Sequence, residues 1–463
     1  MTSTAPTTRT IDDDESAVLQ ALRAAVGDAV TTDADLLDAT REDRSGHRSP
    51  GAPLAVVTAR SVEHVQAVMR IATETGTPVV TRGAGTGLAG GAIASAGEIV
   101  LSTLAMDTVL EVSVDDELAV VQPGILNAEL NRQLEPRGLW FAPDPASRAI
   151  STIGGNIATN AGGLLCAKYG VTREAVLGLK VVLADGRMLE LGHRTVKGVT
   201  GLDLTALMVG SEGTLGVIVE ATLKLLPRVT GTVGIVSATF ADVEDAARAA
   251  AVITAAGLRP AIMELVGESA MSAIAEHLGF EHPGGTQLII QTDGPAAETE
   301  AAGILAVITS LGGAAVLSTD PEEGERLFAV RRAFHPSLKA RGTTLIEDVS
   351  VPRSRLPAMF AAIADIEQRF GIQIPTVAHA GDGNLHPNFV FDGQEVPDHI
   401  WAAADEMFLA ALRLGGTLTG EHGVGILKKR WLRDELGDDQ LELQRQIKSV
   451  FDPLGILNPG KVF

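Results

Sequence analysis

The feature that most constrains this chain is a glycine-rich stretch that directly follows a strand–helix–strand pattern. Residues 81–91 read TRGAGTGLAGG and hold five glycines. Before them, LAVVTAR is typical of a strand, SVEHVQAVMRIATETG of an amphipathic helix with Ser61 as its N-cap, and TPVVTRG of a second strand. Ordered glycine costs roughly 0.5–1 kcal/mol relative to Ala, so the stretch indicates backbone brought close to a partner. Strand, helix, strand and then glycines is typical of nucleotide-binding proteins.

Two further segments rich in glycine and small residues follow in the first half. They are APDPASRAISTIGGNIATNAGG (142–163) and VGSEGTLGVI (209–218). A single such segment is also consistent with a surface turn. Three of them favour a long ligand cradled by main-chain N–H groups, and a dinucleotide fits better than a mononucleotide. The first segment is not the Rossmann fingerprint, because Leu88 stands where that motif has Gly or Ala.

Composition excludes several classes of protein. With 37 Lys+Arg against 58 Asp+Glu, the net charge of −21 disfavours nucleic acid and anionic membranes as partners. No apolar run reaches the ~18–20 residues of a membrane span, and the first residues lack the apolar stretch of a signal peptide. We therefore expect a cytoplasmic protein. Cys166 is the only cysteine, so the chain has no internal disulfide and no four-thiolate iron–sulfur cluster of its own.

The pattern restarts after Pro227, which predicts a boundary near residue 228. Before it, strands are predicted at EIVLST, LAVVQPG, LKVVLADG, MLELG and GVIVEATLKLLP. After it, GTVGIVSATF, AIMELVG and TQLIIQTDG read as strands and DVEDAARAAAVITAAG reads as a helix. The end of the chain predicts a helix followed by a turn-rich tail. The second half is therefore expected to be an α+β domain of its own.

Histidines and a carboxylate are clustered by sequence in the second half. HAGDGNLHPN sets His379 and His386 seven residues apart around a Gly-Asp-Gly turn, and GEHGVG supplies Glu421 and His422. If the turn joins two strands, the two histidines converge on one site. Two histidines and one carboxylate are typical of a catalytic divalent metal site with an open position. Packed core histidines, or histidines that orient other ligands, are the alternative.

Six motifs in order, taken together, resemble one known group of enzymes. RGAGTGLAGGA, PDPAS with TIGGNIATNAGG, GSEGTLGVI, HAGDGNLHP, TGEHGVG and FDPLGILNPGKVF are similar to those of FAD-linked oxidases in the vanillyl-alcohol oxidase/p-cresol methylhydroxylase (PCMH) superfamily. Within it, the sequence resembles the glycolate oxidase flavoprotein subunit, D-lactate dehydrogenase and D-2-hydroxyglutarate dehydrogenase. The resemblance implies an α+β fold in four parts. These are a flexible tail (1–15), a PCMH-type FAD-binding domain of two α+β subdomains (16–228), an α+β substrate or cap domain (229–424) and a C-terminal segment that returns to the FAD domain (425–463).

The resemblance also implies which residues hold FAD. The expected contacts to the pyrophosphate are Arg82, Gly83, Ala84, Gly85, Thr86, Gly87, Leu88 and Gly91. Those to the flavin and ribityl chain are Pro143, Asp144, Ser147, Thr152, Gly154, Gly155, Asn156, Ala158, Thr159, Gly162 and Gly163. Glu212, Gly216, Val217 and Ile218 are expected near the adenine, and Asn458 is expected on the returning segment. The first glycine segment contains no His, so FAD is expected to bind without a covalent link.

By the same resemblance, His379, His386 and Glu421 are metal ligands, with Zn or Mn as the expected ion. His422 is the general base, and Arg331, Asn388 and His422 contact the substrate. Arg331 matches the arginine that binds the substrate carboxylate in the family, while a surface helix charge is the alternative. A metal would acidify the hydroxyl of a 2-hydroxy acid, and a neutral imidazole suits the removal of its proton.

One departure from the family bears on the substrate. The 2-hydroxyglutarate branch has a lysine two residues before the Asp of its D-x-S-x-P segment, and here that position is Ile346 in IEDVSVP. A second carboxylate anchor is therefore missing, which favours D-lactate, glycolate or a longer apolar 2-hydroxy acid. Alternatives are a D-2-hydroxyglutarate dehydrogenase, a non-catalytic flavin-binding subunit of a complex, and a metal hydrolase. Electrons are expected to leave to an external quinone, cytochrome or electron-transfer flavoprotein, from a cytoplasmic or membrane-peripheral protein. The oligomeric state is left open, with a homodimer as the candidate.

Overall fold

The computed structural model describes residues 11–393 and 395–463. The first ten residues of the predicted tail lie outside the described residues. The rest of that tail is helical, since the first helix starts at Ile11. Among the described residues, no helix is both long and apolar enough to cross a membrane.

The first unit is a four-stranded, mainly parallel sheet with helices. Its elements are α1 (Ile11–Val26), β1 (Val30–Thr31), α2 (Ala34–Ala39), β2 (Ala55–Thr58), α3 (Val62–Thr75), β3 (Val79–Arg82) and β4 (Ile99–Ser102). The strand order is β1-β2-β4-β3, with β2 and β3 parallel to β4. The side chain of Ser61 accepts the N–H of His64 and caps α3, and Gly76 ends the helix in the left-handed conformation (φ 67°). The first glycine segment leaves the end of β3.

The second unit is a five-stranded antiparallel sheet. Its elements are β5 (Val109–Ser113), β6 (Leu118–Val121), α4 (Asn127–Leu134), β7 (Leu139–Trp140), α5 (Ile153–Thr159), α6 (Cys166–Tyr169), β8 (Val176–Val182), β9 (Met188–Gly192), α7 (Leu204–Met208), β10 (Val217–Lys224) and β11 (Leu226–Pro227). The order is β5-β6-β10-β8-β9, and β7 pairs with β11. The second glycine segment, for which the sequence predicted no helix, contains α5. Thr152 caps this helix by accepting the N–H of Gly155.

The third unit is a larger antiparallel sheet with helices on both faces. Its elements are β12 (Gly234–Phe240), α8 (Val243–Ala255), β13 (Ile262–Val266), α9 (Glu268–Leu278), β14 (Thr286–Thr292), α10 (Ala297–Ser310), β15 (Ala314–Ser318), α11 (Pro321–Arg332), α12 (Phe334–Lys339), β16 (Thr343–Ile346), β17 (Val349–Ser350), α13 (Leu356–Phe370), β18 (Thr376–His379), β19 (Asn384–Phe391), α14 (Asp398–Arg413) and α15 (Leu432–Phe451). The order is β15-β12-β14-β13-β18-β19-β16, with β17 paired to β19. Short 3₁₀ helices connect elements at Gly27–Ala29, Glu135–Arg137, Thr172–Ala175, Arg353–Arg355 and Lys429–Trp431.

The two faces of the third sheet differ in chemistry. Met263, Leu265 and Leu385 point into the main apolar core, which α8, α10, α13 and α14 cover. Adjacent strand residues point to opposite faces. Glu264 and His386 therefore lie on the other face, together with the remaining polar residues of the same strands.

The end of the chain returns to the first sheet. Main-chain N–H groups of Val79 and Asn458 bond to the carbonyl oxygens of Ile456 and Val79, each at 2.8 Å. α15, interrupted by Gly437 (φ 70°), leads into this segment. The α+β class predicted from the sequence is confirmed in all three units.

Candidate active site

Two histidines converge because a tight turn joins the strands that carry them. β18 ends at His379 and β19 starts at Asn384, with Gly383 in a positive-φ conformation (φ 96°) between them. In this antiparallel pair Val377 lies opposite His386, so the two imidazoles are diagonal neighbours on one face. Their ring centroids are 4.9 Å apart. This is the convergence that the Gly-Asp-Gly turn predicted.

Glu421 completes a compact set of three donors. One carboxylate oxygen of Glu421 lies 3.2 Å from Nε2 of His386 and 3.6 Å from Nε2 of His379. One donor atom from each residue lies within 4.8 Å of the others. A divalent ion about 2.0–2.2 Å from nitrogen and carboxylate ligands needs donor spacings of this size. The three residues therefore fit a metal ion.

The loop that carries Glu421 and His422 is held by the buried carboxylate of Asp348. One oxygen of Asp348 accepts the main-chain N–H groups of Gly420 at 2.6 Å and Glu421 at 2.8 Å. The other oxygen lies 3.5 Å from Nδ1 of His422 and is ion-paired with the buried Lys428. The irregular backbone that brings Glu421 and His422 to one site is thus stabilised by side chains as well as by Gly423 (φ 87°).

A second buried carboxylate, Glu264, lies on the other side of the donor set. Its two oxygens bond to Nδ1 of His379 at 2.5 Å and to Nε of Arg331 at 2.8 Å. Arg331, predicted to bind substrate, is therefore linked to a predicted metal ligand. Asn388 is fully buried on the same sheet face, and its Oδ1 has no hydrogen-bond partner among the described residues.

His422 stacks against His386, with ring centroids 5.2 Å apart. Burial is the main cause that lowers the pKa of His422, to about 4, so its imidazole is neutral near pH 7. Its Nδ1 has no hydrogen-bond partner among the described residues. A neutral, partly unsatisfied imidazole is the state that a proton acceptor requires.

All three glycine segments of the first half surround the Glu421 loop. A Cβ added at Gly162 would lie 2.6 Å from the Glu421 carboxylate, and one at Gly423 would lie 3.0 Å from that of Glu212. A Cβ at Gly425 would collide with the carbonyl oxygen of Ala89. The absence of side chains at these glycines lets the histidine cluster, formed by His379, His386 and His422 with Glu421, approach the glycine segments.

The expected pyrophosphate contacts form an open loop. Gly83, Ala84, Gly85, Thr86, Gly87 and Leu88 are all partly exposed. Side chains at Gly83 and Gly85 would collide with Thr152 and Arg82. Arg82 donates to the carbonyl oxygens of Ala92 at 2.6 Å and Glu42 at 2.9 Å, so its guanidinium supports the loop.

The expected flavin-side residues flank α5. Pro143 and Asp144 are buried while Ser147 is partly exposed, and the Asp144 carboxylate accepts the N–H of Leu165 at 3.0 Å. A Cβ at Gly163 would lie 2.5 Å from the carbonyl oxygen of Asp144. On α5, residues Gly154, Gly155, Ala158 and Thr159 are partly exposed, and Asn156 is buried.

The expected adenine-side residues have mainly structural contacts. The Glu212 carboxylate accepts the N–H groups of Val424 at 2.7 Å and Gly425 at 2.9 Å, and burial raises its pKa to about 7. Gly216, Val217 and Ile218 lie buried at the start of β10. Nδ2 of Asn458 joins the carbonyl oxygens of Gly91 at 2.9 Å and Glu212 at 2.7 Å.

Unpaired polar atoms test whether this region fits a bound cofactor. Oγ1 of Thr81, Oδ1 of Asn156 and Oδ1 of Asn458 are buried without a hydrogen-bond partner among the described residues. Buried polar atoms are nearly always paired in native proteins. These three oxygens lie on or next to the glycine segments, so the region fits a polar ligand that supplies the missing partners.

Sequence reasoning missed four residues of the site. Glu264 and Asp348 orient other site residues, Lys428 pairs with Asp348, and His335 lies in α12, four residues after Arg331. A carboxylate inside the apolar run AIMELVG was the available signal for Glu264, because an unpaired buried charge is costly.

Two family models match the chain. Residues 53–192 match the FAD binding domain, and residues 232–462 match the C-terminal domain of FAD linked oxidases.

Three curated relatives cover most of the chain. The glycolate oxidase subunit GlcD of Bacillus subtilis is 39% identical over 420 residues, 89% of each chain. The D-lactate dehydrogenase of Archaeoglobus fulgidus is 37% identical and covers 88% of this chain and 90% of its own. The D-2-hydroxyglutarate dehydrogenase of Stutzerimonas stutzeri is 34% identical, with 94% and 96% covered.

Solved structures share the fold. p-Cresol methylhydroxylase with substrate bound superposes with a TM-score of 0.78 at 18% identity, over 99% of this chain and 98% of that one. An alkyldihydroxyacetonephosphate synthase superposes with a TM-score of 0.75 at 20% identity, over 99% and 87%. The PCMH-type fold predicted from the motifs is confirmed.

Proposed function

The chain belongs to the FAD-linked oxidases, and on that premise we propose that it oxidises a D-2-hydroxy acid to the 2-keto acid. D-Lactate or glycolate is the favoured substrate, as the names of the relatives with these activities suggest. The observation that carries the proposal is the approach of Glu421 to Gly162. It brings the histidine cluster against the segment expected to line the flavin.

The described residues would hold both non-protein groups. FAD would lie along the glycine segments, where Thr81, Asn156 and Asn458 have unpaired oxygens, and Zn or Mn would lie between His379, His386 and Glu421. When bound, FAD supplies the acceptor for the hydride from the substrate Cα, and the divalent ion supplies the Lewis acidity that favours loss of the hydroxyl proton.

His422 is proposed to take that proton. Its neutral imidazole lies beside His386, so a hydroxyl group held at the donor set would lie close to it. Asp348 orients the loop of His422 through the main-chain bonds described above. A positioned histidine base contributes typically 10²–10⁴-fold to rate.

Arg331 and Asn388 are proposed to bind the substrate carboxylate. Arg331 retains its two terminal nitrogens for a ligand, because in the described part of the chain it donates only through Nε, to Glu264. Asn388 lies opposite Ile346 in the β16–β19 pair. Leu345 packs into the core, so Ile346 is on the face of Asn388 and presents an apolar wall there. This wall favours a monocarboxylate over 2-hydroxyglutarate.

Anaerobic reduction of the flavin tests the proposal and the substrate preference. The FAD-loaded protein should lose its absorbance at about 450 nm with D-lactate or glycolate and keep it with L-lactate. Faster reduction by D-2-hydroxyglutarate would favour that substrate instead. A protein that stays oxidised with every D- and L-2-hydroxy acid would exclude the proposed reaction and leave a flavin-binding subunit as the alternative. If the flavin is reduced, an external quinone, cytochrome or electron-transfer flavoprotein would reoxidise it. Each of these acceptors can be tested on the reduced protein.

A further inference from the structure

Glu264 is a fully buried carboxylate beside the donor set. It lies in the middle of β13, its side chain has no solvent exposure, and both strand neighbours, Met263 and Leu265, pack into the apolar core. Burying a carboxylate costs several kcal/mol unless it is paired on both oxygens. An apolar residue would serve packing better at this position. The role of Glu264 therefore lies in its two polar contacts.

The first contact orients a metal ligand. Oε1 of Glu264 is 2.5 Å from Nδ1 of His379, which lies directly opposite it in the β13–β18 pair. A carboxylate accepts only, so Nδ1 carries the hydrogen, and once the imidazole is neutral its lone pair is on Nε2. Nε2 is the nitrogen that faces Glu421. Glu264 thus selects the tautomer of His379 that can bind a metal ion.

The second contact orients the proposed substrate arginine. Oε2 of Glu264 is 2.8 Å from Nε of Arg331, whose side chain is 12% exposed. Among the described residues, the two terminal guanidinium nitrogens make no hydrogen bond to a protein acceptor. They remain available as a fork for a carboxylate.

We propose that Glu264 is a positioning residue that links carboxylate binding to metal binding. Glu264 is one rigid, buried group that fixes the distance between Arg331 and His379. A substrate carboxylate bound to Arg331 and a metal ion bound to His379 therefore have the correct relative position only while Glu264 keeps both contacts. The part of the proposal that concerns metal binding depends only on the donor set. The part that concerns carboxylate binding rests on the proposed function. Glu264 is not proposed to touch the reacting atoms.

Glu264→Gln tests both halves with one nearly isosteric change. A neutral amide presents one oxygen and one NH₂ group, so it cannot accept from His379 and Arg331 together. We expect a metal dissociation constant raised about 10–100-fold, measured without substrate by competition with a chromophoric chelator. We also expect the KM of the substrate that bleaches the flavin to rise about tenfold or more.

Arg331→Met and the double variant separate the two contacts. Arg331→Met should raise KM but leave the metal dissociation constant within about threefold of native, because His379 keeps its partner. The double variant should show no larger KM than Arg331→Met alone, since Glu264 acts on substrate through Arg331. Glu220→Gln is the matched control. It removes a strand carboxylate that pairs with Lys180 at 3.0 Å in a different sheet, and both constants should stay native.

Separate variants and measurements distinguish a failure to fold from a failure of this proposal and from a failure of the proposed function. If Glu264→Gln does not fold, Glu264→Asp keeps the charge but shortens the reach, and it should weaken metal and substrate binding together. A folded Glu264→Gln with both constants within about twofold of native would overturn the proposal, as would a native protein that takes up no Zn²⁺ or Mn²⁺. Absence of flavin reduction by any 2-hydroxy acid would instead overturn the proposed function. The metal titrations would then still decide whether Glu264 orients His379.

Discussion

At the residue scale, the site depends on buried charges that are paired through more than one atom. Asp348 accepts N–H groups from the Glu421 loop and pairs with Lys428, and Glu264 accepts from a histidine and an arginine. Such groups are costly to bury, and pairing offsets that cost. Each therefore fixes the geometry of the residues that it contacts.

Removal of His422 is the direct test of the proposed base. His422→Ala should bind FAD normally and reduce it about 10²–10⁴-fold more slowly, because no other described imidazole has the same position against His386. Stopped-flow absorbance under anaerobic conditions measures the rate. His399→Ala changes an exposed histidine on α14 and should reduce flavin at the native rate. Near-native reduction by His422→Ala would exclude the base.

At the element scale, close approach between loops decides whether the two halves of the site meet. The Gly425 N–H bonds to Glu212 at 2.9 Å, and Ile426 bonds to the carbonyl of Ala89 at 2.9 Å. The Glu421 loop, the first glycine segment and the third are thus one hydrogen-bonded assembly. Displacing any one of them shifts both the expected cofactor contacts and the donor set.

Gly425→Ala tests this assembly. Gly425 has φ 51°, and its added Cβ would collide with the carbonyl oxygen of Ala89, so the loops must separate. We expect reduced FAD occupancy after purification and a lower unfolding temperature. Gly455→Ala is the matched control. It has a similar φ of 65° and nothing within 4 Å of the Cβ, so it should cost only the strain of about 1–2 kcal/mol and retain FAD. Equal FAD loss in both variants would contradict the steric explanation.

At the scale of the whole molecule, buried carboxyl groups make stability depend on pH. Burial raises the pKa of Glu347 to about 7 although Lys428 lies 3.6 Å from one of its oxygens, and neither oxygen has a hydrogen-bond partner among the described residues. Between the ordinary pKa of a Glu and this raised value, the folded protein binds more protons than the unfolded chain. The free energy of unfolding therefore falls as pH rises through this window.

Glu347→Gln isolates this contribution. The amide imitates the protonated carboxyl, so the variant should match the native unfolding temperature near pH ~5 and exceed it near pH ~8, by a free energy on the order of 2–3 kcal/mol. Thermal unfolding followed across this range provides the measurement. Glu74→Gln changes an exposed residue on α3, and its unfolding temperature should differ from the native value by an amount that does not vary with pH. If the gain in unfolding temperature of Glu347→Gln shrank as pH rises, the predicted direction of the pH dependence would be wrong.

Most elements were predictable because their signals are local. Alternating or 3.6-residue apolar patterns gave β2, α3, β3, β8 and β10, and Ser61 and Gly76 mark the ends of α3 in the sequence itself. β5 was missed because its residues are only partly buried and its apolar pattern is weak. α5 was missed because glycine and asparagine have low helix propensity, and the helix depends on the Thr152 cap and on packing of Ile153 and Ile157.

The sequence by itself determined the family and the α+β class through its motifs. It also determined the convergence of His379 with His386, because a turn between two strands depends on local residues. Only the tertiary structure decided what Arg82, Glu212, Glu264 and Asp348 contact. Arg82 and Glu212, expected beside the cofactor, support neighbouring loops, and Glu264 pairs with residues more than sixty positions away. The physical reason is that a residue's type specifies which bonds it can make. Its partners depend on how distant strands and loops pack, which no local pattern encodes.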